Sequence, residues 1–231
     1  MCGRFSAISE TDVLKKRFKV KLIQKKNVKN LRKKYNIAPG DWARMINSNR
    51  ELEVAKWGLL PDSSYSTFNA KAETLEEKQS FAPLFKNGQR CLIPSDGFYE
   101  FPVGEFGKRS MRLALENDKT FSYAGLYRES VDSVTGQVGT TFTIITCEPN
   151  EIVHPTSGLK IHDRMPVILH EGDEDAWLDS DTSIKNLKGL LKPYRGSDML
   201  SYEVSSFINK TKNEGETCWL GVDQVDRFDW L

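Results

Sequence analysis

Short apolar runs, each closed by turn-forming residues, follow one another through the middle of this chain. Residues 43–46 and 52–57 are separated by Asn47-Ser48-Asn49-Arg50. Residues 90–94 run into Ser95-Asp96-Gly97, which reads as a turn. The aromatic run Phe98-Tyr99-Glu100-Phe101 ends in a Gly-containing loop over 103–108. Strands are predicted over 110–116 and 120–128, joined at Asn117-Asp118, and over the β-branched, apolar stretch 141–147. Such runs specify strands, and strands this short bury an apolar face only by joining a sheet or barrel. Helical patterns are fewer. Ser9-Glu10-Thr11-Asp12 has the form of a helix start, with Ser9 or Thr11 as cap. Leu14, Phe18, Leu22 and Ile23 follow at roughly helical spacing. Further helices are predicted over 75–87, 171–178 and 183–191, the last capped by Asp181, and a short strand over 202–204. The fold class is therefore α+β. One domain over residues 1–231 has a β-rich core of short, mainly antiparallel strands, barrel-like or packed as sheets, with peripheral helices.

With 231 residues, 39% hydrophobic and 28% charged, the composition is that of a soluble globular protein. No run of 18 apolar residues predicts a membrane span. No basic-then-apolar leader precedes the fold, so a cytoplasmic location, nucleoid-associated on DNA, is expected. Cys2, Cys91, Cys147 and Cys218 form no CxxC pair and read as reduced thiols. His154, His162 and His170 form no HExxH, so neither metal nor cofactor is expected. The net charge of +1 conceals eleven basic residues between Lys15 and Lys34 with no acid among them. The remainder is net acidic. Such a segment fits a polyanion partner, nucleic acid first, or a solvated helix face.

Five places carry candidate chemistry or recognition. Cys2 directly follows the initiator Met1. With Met1 removed, it offers an α-amine of pKa about 7.7–8.0 beside a thiol of about 8.5. A 1,2-aminothiol condenses with an aldehyde through nitrogen and closes a five-membered ring through sulfur. Glu100 lies among aromatic residues, and a carboxyl in apolar surroundings has a raised pKa suited to proton transfer. In Ile161-His162-Asp163-Arg164, His162 suits proton transfer near neutrality and Arg164 suits a phosphate. Asn69 and Lys71 share one face if their segment is a strand. Trp57 fits either a core position or a stacking platform for an unpaired base.

These residues sit in motifs that occur in a fixed order: Met1-Cys2-Gly3-Arg4-Phe5, Tyr35-Asn36-Ile37-Ala38-Pro39, Trp57-Gly58-Leu59, Asn69-Ala70-Lys71-Ala72-Glu73-Thr74, Arg90-Cys91-Leu92-Ile93-Pro94, Asp96-Gly97-Phe98-Tyr99-Glu100-Phe101, Ala124-Gly125-Leu126-Tyr127 and His162-Asp163-Arg164-Met165-Pro166. Together they resemble the SRAP (SOS response-associated peptidase) family from residue 1 to about 215. The resemblance implies a DNA-repair protein that binds abasic sites in single-stranded DNA and crosslinks to them through a thiazolidine at Cys2. It implies that Asn69 orients Cys2 and the opened sugar. Glu100 shuttles protons, and His162 assists ring opening and reversal. Arg4, Lys71, Thr146 and Arg164 fall at DNA-contacting positions. Gly58 is a further DNA-binding position, and Pro39 and Trp57 fall at the wedge and stacking surface. Loss of Met1, autocatalytic or by an aminopeptidase, exposes the amine. A monomer is expected.

The chain departs from the family pattern in three places. Lys71 stands where Arg is usual, which keeps the charge and loses the bidentate fork. Ala82 replaces an Arg common after Ser-Phe, and Phe101 replaces a common Trp. A peptidase acting on other proteins, with His162 or Glu100 as base for the Cys2 thiolate, is the alternative reading of the same residues. A third is a single-stranded DNA-binding module in which Cys2 is idle.

Overall fold

The computed structural model describes residues 2–22, 32–59, 67–105, 107–116, 119–131 and 138–225. Strand Phe5–Ala7 (β1) precedes helix Thr11–Phe18 (α1) and strand Lys21–Leu22 (β2). Lys34–Ile37 (β3), Trp42–Ile46 (β4), Glu51–Trp57 (β5) and Asn69–Lys71 (β6) follow, then a 3-10 turn at Ala72–Thr74 and helix Ala82–Lys86 (α2). The middle comprises Arg90–Ser95 (β7), Gly97–Glu100 (β8), Val103–Gly104 (β9), Gly107–Lys108 (β10), Met111–Leu115 (β11), Phe121–Val131 (β12) and Val138–Cys147 (β13). Met165–Pro166 (β14), Ile168–Leu169 (β15), helices Glu174–Leu178 (α3) and Ile184–Leu190 (α4), Met199–Glu203 (β16) and helix Val222–Val225 (α5) complete the order.

The central strands form a closed ring. β13, β12, β7, β4 and β5 pair antiparallel in that sequence. β5 then meets β13 in parallel, with Lys56 opposite Thr141 and Trp57 opposite Phe142. Closure leaves no open edge around the ring. A second sheet has the order β16-β11-β8-β1-β3. The chain passes from ring to sheet at Asp96, the single residue between β7 and β8. The stretch 95–97 is thus a corner between layers rather than a reverse turn. Asp96 fixes it by accepting from Ile8 N–H at 2.5 Å, Ser9 Oγ at 2.7 Å and Thr120 Oγ1 at 3.0 Å. Gly97 is required there, because an added Cβ would lie 2.9 Å from the Arg112 guanidinium carbon and 3.0 Å from the Leu113 carbonyl.

Phe5 joins the two layers. Its ring meets Trp57 edge-on at 5.1 Å and Tyr123 at 5.8 Å, while Trp57 stacks parallel to Phe142 at 6.3 Å. Buried aromatics in these arrangements supply both area and geometric preference.

The helices are shorter than the sequence predicts, for local reasons. α1 stops at Phe18 because Lys19 turns left-handed (φ 52°), so Leu22 falls in β2. Its N-cap position is Glu10, without a side-chain cap, since Ser9 Oγ is engaged by Asp96. The helix expected over 75–87 survives only as α2. Pro83 occupies its first turn and has no N–H to bond backward, so the helix cannot extend upstream. α4 is capped by Ser183, which accepts from Asn186 N–H, not by Asp181. Ile23, the Asn117-Asp118 turn, and Lys25, Lys26 and Lys29 lie outside the described residues. Among the described residues no helix is long and apolar enough to cross a membrane.

Gly125 tests the ring directly. A Cβ there would meet Ile93 Cδ1 at 2.3 Å and the Thr143 carbonyl at 2.7 Å. Main-chain atoms of a paired strand cannot retreat like a flexible side chain. Gly125→Ala is expected to cost about 1–3 kcal/mol or more, seen as a lower denaturant midpoint at unchanged slope. Wild-type stability in this variant would show that β12 and β13 are not packed this closely.

Candidate active site

β1 is an interior strand although it begins only four residues into the chain. Phe5 pairs with Phe98 on one side and with Ile37 on the other, and Tyr99 N–H donates to the Arg4 carbonyl at 2.9 Å. This pairing carries Cys2 inward, and its exposure is 0%. Asn69 reaches it from a different element. β6 runs parallel to β13, with Asn69 opposite Ile144, and Asn69 Nδ2 donates to the Cys2 carbonyl at 2.6 Å. Glu100 ends β8, two residues beyond Phe98 and on the same face. Its exposure is 5%.

The electrostatics follow from burial. Desolvation pushes the Glu100 carboxyl up to about 8, against which the positive amino terminus acts weakly. Burial, then the Glu100 charge, pushes the Cys2 thiol far above its ordinary value. Glu100 Oε1 and Asn69 Oδ1 are both buried, with no hydrogen-bond partner among the described residues. Two such acceptors call for an explanation, because buried polar atoms are nearly always paired.

His162 lies on the loop before β14. Its own N–H and that of Ile161 both donate to the Val153 carbonyl, at 3.1 and 3.0 Å. Nδ1 accepts from Arg164 N–H at 3.0 Å. The neutral ring therefore carries its proton on Nε2. Burial, then the charge of the amino terminus, lowers its pKa, so the neutral form dominates at pH 7.

A cation cluster adjoins this group. Lys71, Thr146 and Pro166 form one row across β6, β13 and β14. Arg164 reaches back along the row. Its Nε donates to Thr146 Oγ1 at 3.2 Å and its Nη2 to the Thr146 carbonyl at 2.7 Å. Glu73 accepts from the same guanidinium at 2.8 Å. Partial burial pushes the Glu73 carboxyl up, but the bonds and charge of Arg164, with help from Lys71, outweigh it and hold it below the usual range.

The SOS response associated peptidase (SRAP) family profile matches residues 1–211. This chain belongs to the SRAP family. It is 40% identical over 225 residues to the abasic site processing protein YoqW of Bacillus subtilis (strain 168), covering 92% of this chain and 96% of YoqW. It is 27% identical over 208 residues to the abasic site processing protein HMCES of Gallus gallus, covering 77% of this chain and 59% of HMCES. A crystal structure of a protein from Bacteroides thetaiotaomicron superposes with a TM-score of 0.84 at 27% identity, covering 96% of this chain and all of that one.

In this SRAP chain the remaining motif residues lie elsewhere. Trp57 is 1% exposed, and its Nε1 donates to the Phe68 carbonyl at 2.8 Å, so its ring is core and offers no open face to a base. Pro39 is exposed at the apex of a turn in which Asp41 N–H donates to the Ala38 carbonyl at 3.0 Å and Gly40 has φ +93°. Gly58 leaves β5 at φ +126° and donates to the Phe142 carbonyl at 2.9 Å. Arg4 is 9% exposed and lies on the far face of β1. Its Nη1 donates to Asn36 Oδ1 at 2.6 Å and to the Ile208 carbonyl at 2.8 Å, and its guanidinium lies over Phe101. From the basic segment, Lys15, Arg17 and Lys33 pair with Asp12, Glu174 and Glu10. Sequence reasoning passed over Tyr123, whose buried hydroxyl feels the Cys2 charge and shares a hydrogen bond with Ser95 Oγ at 2.9 Å. Only its place two residues before Gly125 in a core strand offered a signal.

Glu100 sets a pH dependence. Its folded pKa of about 8 exceeds the ordinary 4.5, so the folded chain keeps a proton that the unfolded chain releases. Stability is expected to fall as pH rises from about 4.5 to about 8. Glu100→Gln cannot ionise. Relative to wild type it should gain a few kcal/mol above about pH 8, at about 1.4 kcal/mol for each tenfold difference in proton affinity, and nothing near pH 4. Urea unfolding across that range measures it; parallel pH curves would contradict the assignment.

Proposed function

We propose that this protein captures abasic sites in single-stranded DNA by covalent attachment to Cys2, shielding the strand from cleavage. The observation that carries the reading is a fully buried Cys2 whose carbonyl accepts from Asn69 and whose thiol feels the charge of the buried Glu100. Relatives named abasic site processing proteins support it.

Removal of Met1, autocatalytic or by an aminopeptidase, turns Cys2 into the free aminothiol. Its amine donates to the unpaired Asn69 Oδ1 and attacks the ring-opened sugar aldehyde. A C–N bond forms, and one water leaves as the imine develops. His162, protonated on Nε2, donates to the sugar oxygen. Sulfur then adds across the C=N bond. The thiol stays protonated at neutral pH in this burial, so its proton must be taken as the C–S bond forms. Glu100, with a pKa of about 8, exchanges protons readily near neutrality, accepting from sulfur and returning one to nitrogen. The product is a thiazolidine, with one water lost overall. Because the imine is consumed, the β-elimination that would cut the strand is suppressed.

Recognition falls to the cations, since an abasic site has no base to read. Lys71 and Arg164 hold flanking phosphates, and exposed Pro39 wedges the strand. A peptidase working through a Cys2 thiolate fits the same pocket less well, because reactive thiolates need a lowered pKa and burial raises this one.

Cys2→Ala is expected to abolish a heat-stable crosslink to abasic single-stranded DNA, and an uncleaved amino-terminal tag should do the same. Glu100→Gln should slow crosslinking by about 10²-fold. Gel shifts under denaturing conditions read all three. Wild-type crosslinking by Cys2→Ala would overturn the proposal.

A further inference from the structure

Glu73 stands against the cations that the proposed function gives to DNA phosphates. It sits in the 3-10 turn immediately after Lys71. Its carboxylate accepts from Arg164 Nη2 at 2.8 and 3.2 Å and from Nη1 at 3.2 Å. The two sides of this guanidinium are held differently. Thr146, in a buried strand, fixes the inner side through two bonds. Glu73 fixes the outer side with a side chain that is 51% exposed, against 16% for Arg164.

A carboxylate and a phosphodiester present the same paired oxygens to an arginine fork. We propose that Glu73 is an exchangeable place-holder for a DNA phosphate on Arg164. An arriving phosphate takes the outer side of the fork, and the Glu73 carboxylate swings into solvent. Thr146 keeps the guanidinium aimed throughout, so the exchange needs no rebuilding of the site. The inference rests on the reading of Arg164 as a phosphate contact.

The consequence is a deliberately weak grip on undamaged strands. Lys71 and Arg164 carry two positive charges, and Glu73 cancels one of them. Transient contact with any strand is therefore loose, and long residence depends on the covalent bond at an aldehyde. The departure at position 71 fits the same pattern, because lysine lacks the bidentate fork of arginine.

The test is reversible binding to a single-stranded oligonucleotide carrying a tetrahydrofuran abasic analogue, which has no aldehyde. The slope of log affinity against log salt is measured for wild type, Glu73→Gln, Glu73→Ala, Arg164→Gln and the double variant Glu73→Gln/Arg164→Gln. Each phosphate neutralised on a single strand contributes about 0.7 to that slope. Both Glu73 variants are expected to bind more tightly at low salt, with a slope steeper by about 0.7. The double variant should lose that gain. A Glu73 variant that binds more weakly, at an unchanged or shallower slope, overturns the place-holder and makes Glu73 a brace. If Arg164→Gln binds as wild type does, or wild type shows no salt dependence, the phosphate reading itself fails and the place-holder falls with it.

Discussion

A three-residue strand paired on both edges holds the site together. Chain termini usually fray, yet β1 lies between β8 and β3, and Phe5 is clamped between Trp57 and Tyr123. The ladder fixes the main chain, and the aromatic contacts fix its depth. Cys2 is carried into the interior as a consequence, to where Asn69 donates to its carbonyl and the Glu100 charge acts on its thiol. Each partner comes from a different part of the fold: Asn69 from a strand alongside β13, Glu100 from the end of β8, His162 from a loop before β14. Without β1 in register, these groups would face an empty position.

The same burial sets the chemistry and weakens the fold. A carboxyl enclosed without a charge partner costs stability at neutral pH, because the folded chain must hold a proton that the unfolded chain releases, and Glu100 is in that condition. Under the proposed function, stability given up at this residue yields a proton carrier tuned near neutrality. The cations are held differently from one another. Lys71 is exposed, whereas Arg164 is largely enclosed and its guanidinium is ordered by two hydrogen bonds to Thr146.

Much of this was legible in the sequence, and the gaps have physical causes. The strands from Arg90 to Cys147 followed from alternation and turn residues, because both signals are local. Ring closure did not, since the parallel pairing of β5 with β13 joins residues more than 80 positions apart. Ser95-Asp96-Gly97 looked like a reverse turn because its composition is the same at a corner between layers. The overlong helix at 75–87 came from weighing apolar spacing above Pro83. The motifs named Cys2, Asn69, Glu100 and His162 in advance, and of these the structure joins Asn69 to Cys2 by a hydrogen bond and buries Glu100 on the Phe98 face. They also named Trp57 and Arg4, whose side chains here serve the core and the far face of β1. A motif records that a position matters without saying which way its side chain points.

The central claim is that both nucleophiles of an exposed Cys2 end up on one sugar carbon. Intact-protein mass spectrometry after incubation with abasic single-stranded DNA tests this most directly. The account predicts a single adduct, equal to the chain without Met1 plus the oligonucleotide minus one water, that survives heating without borohydride reduction. An adduct that retains Met1, or one that appears only after reduction, would contradict it.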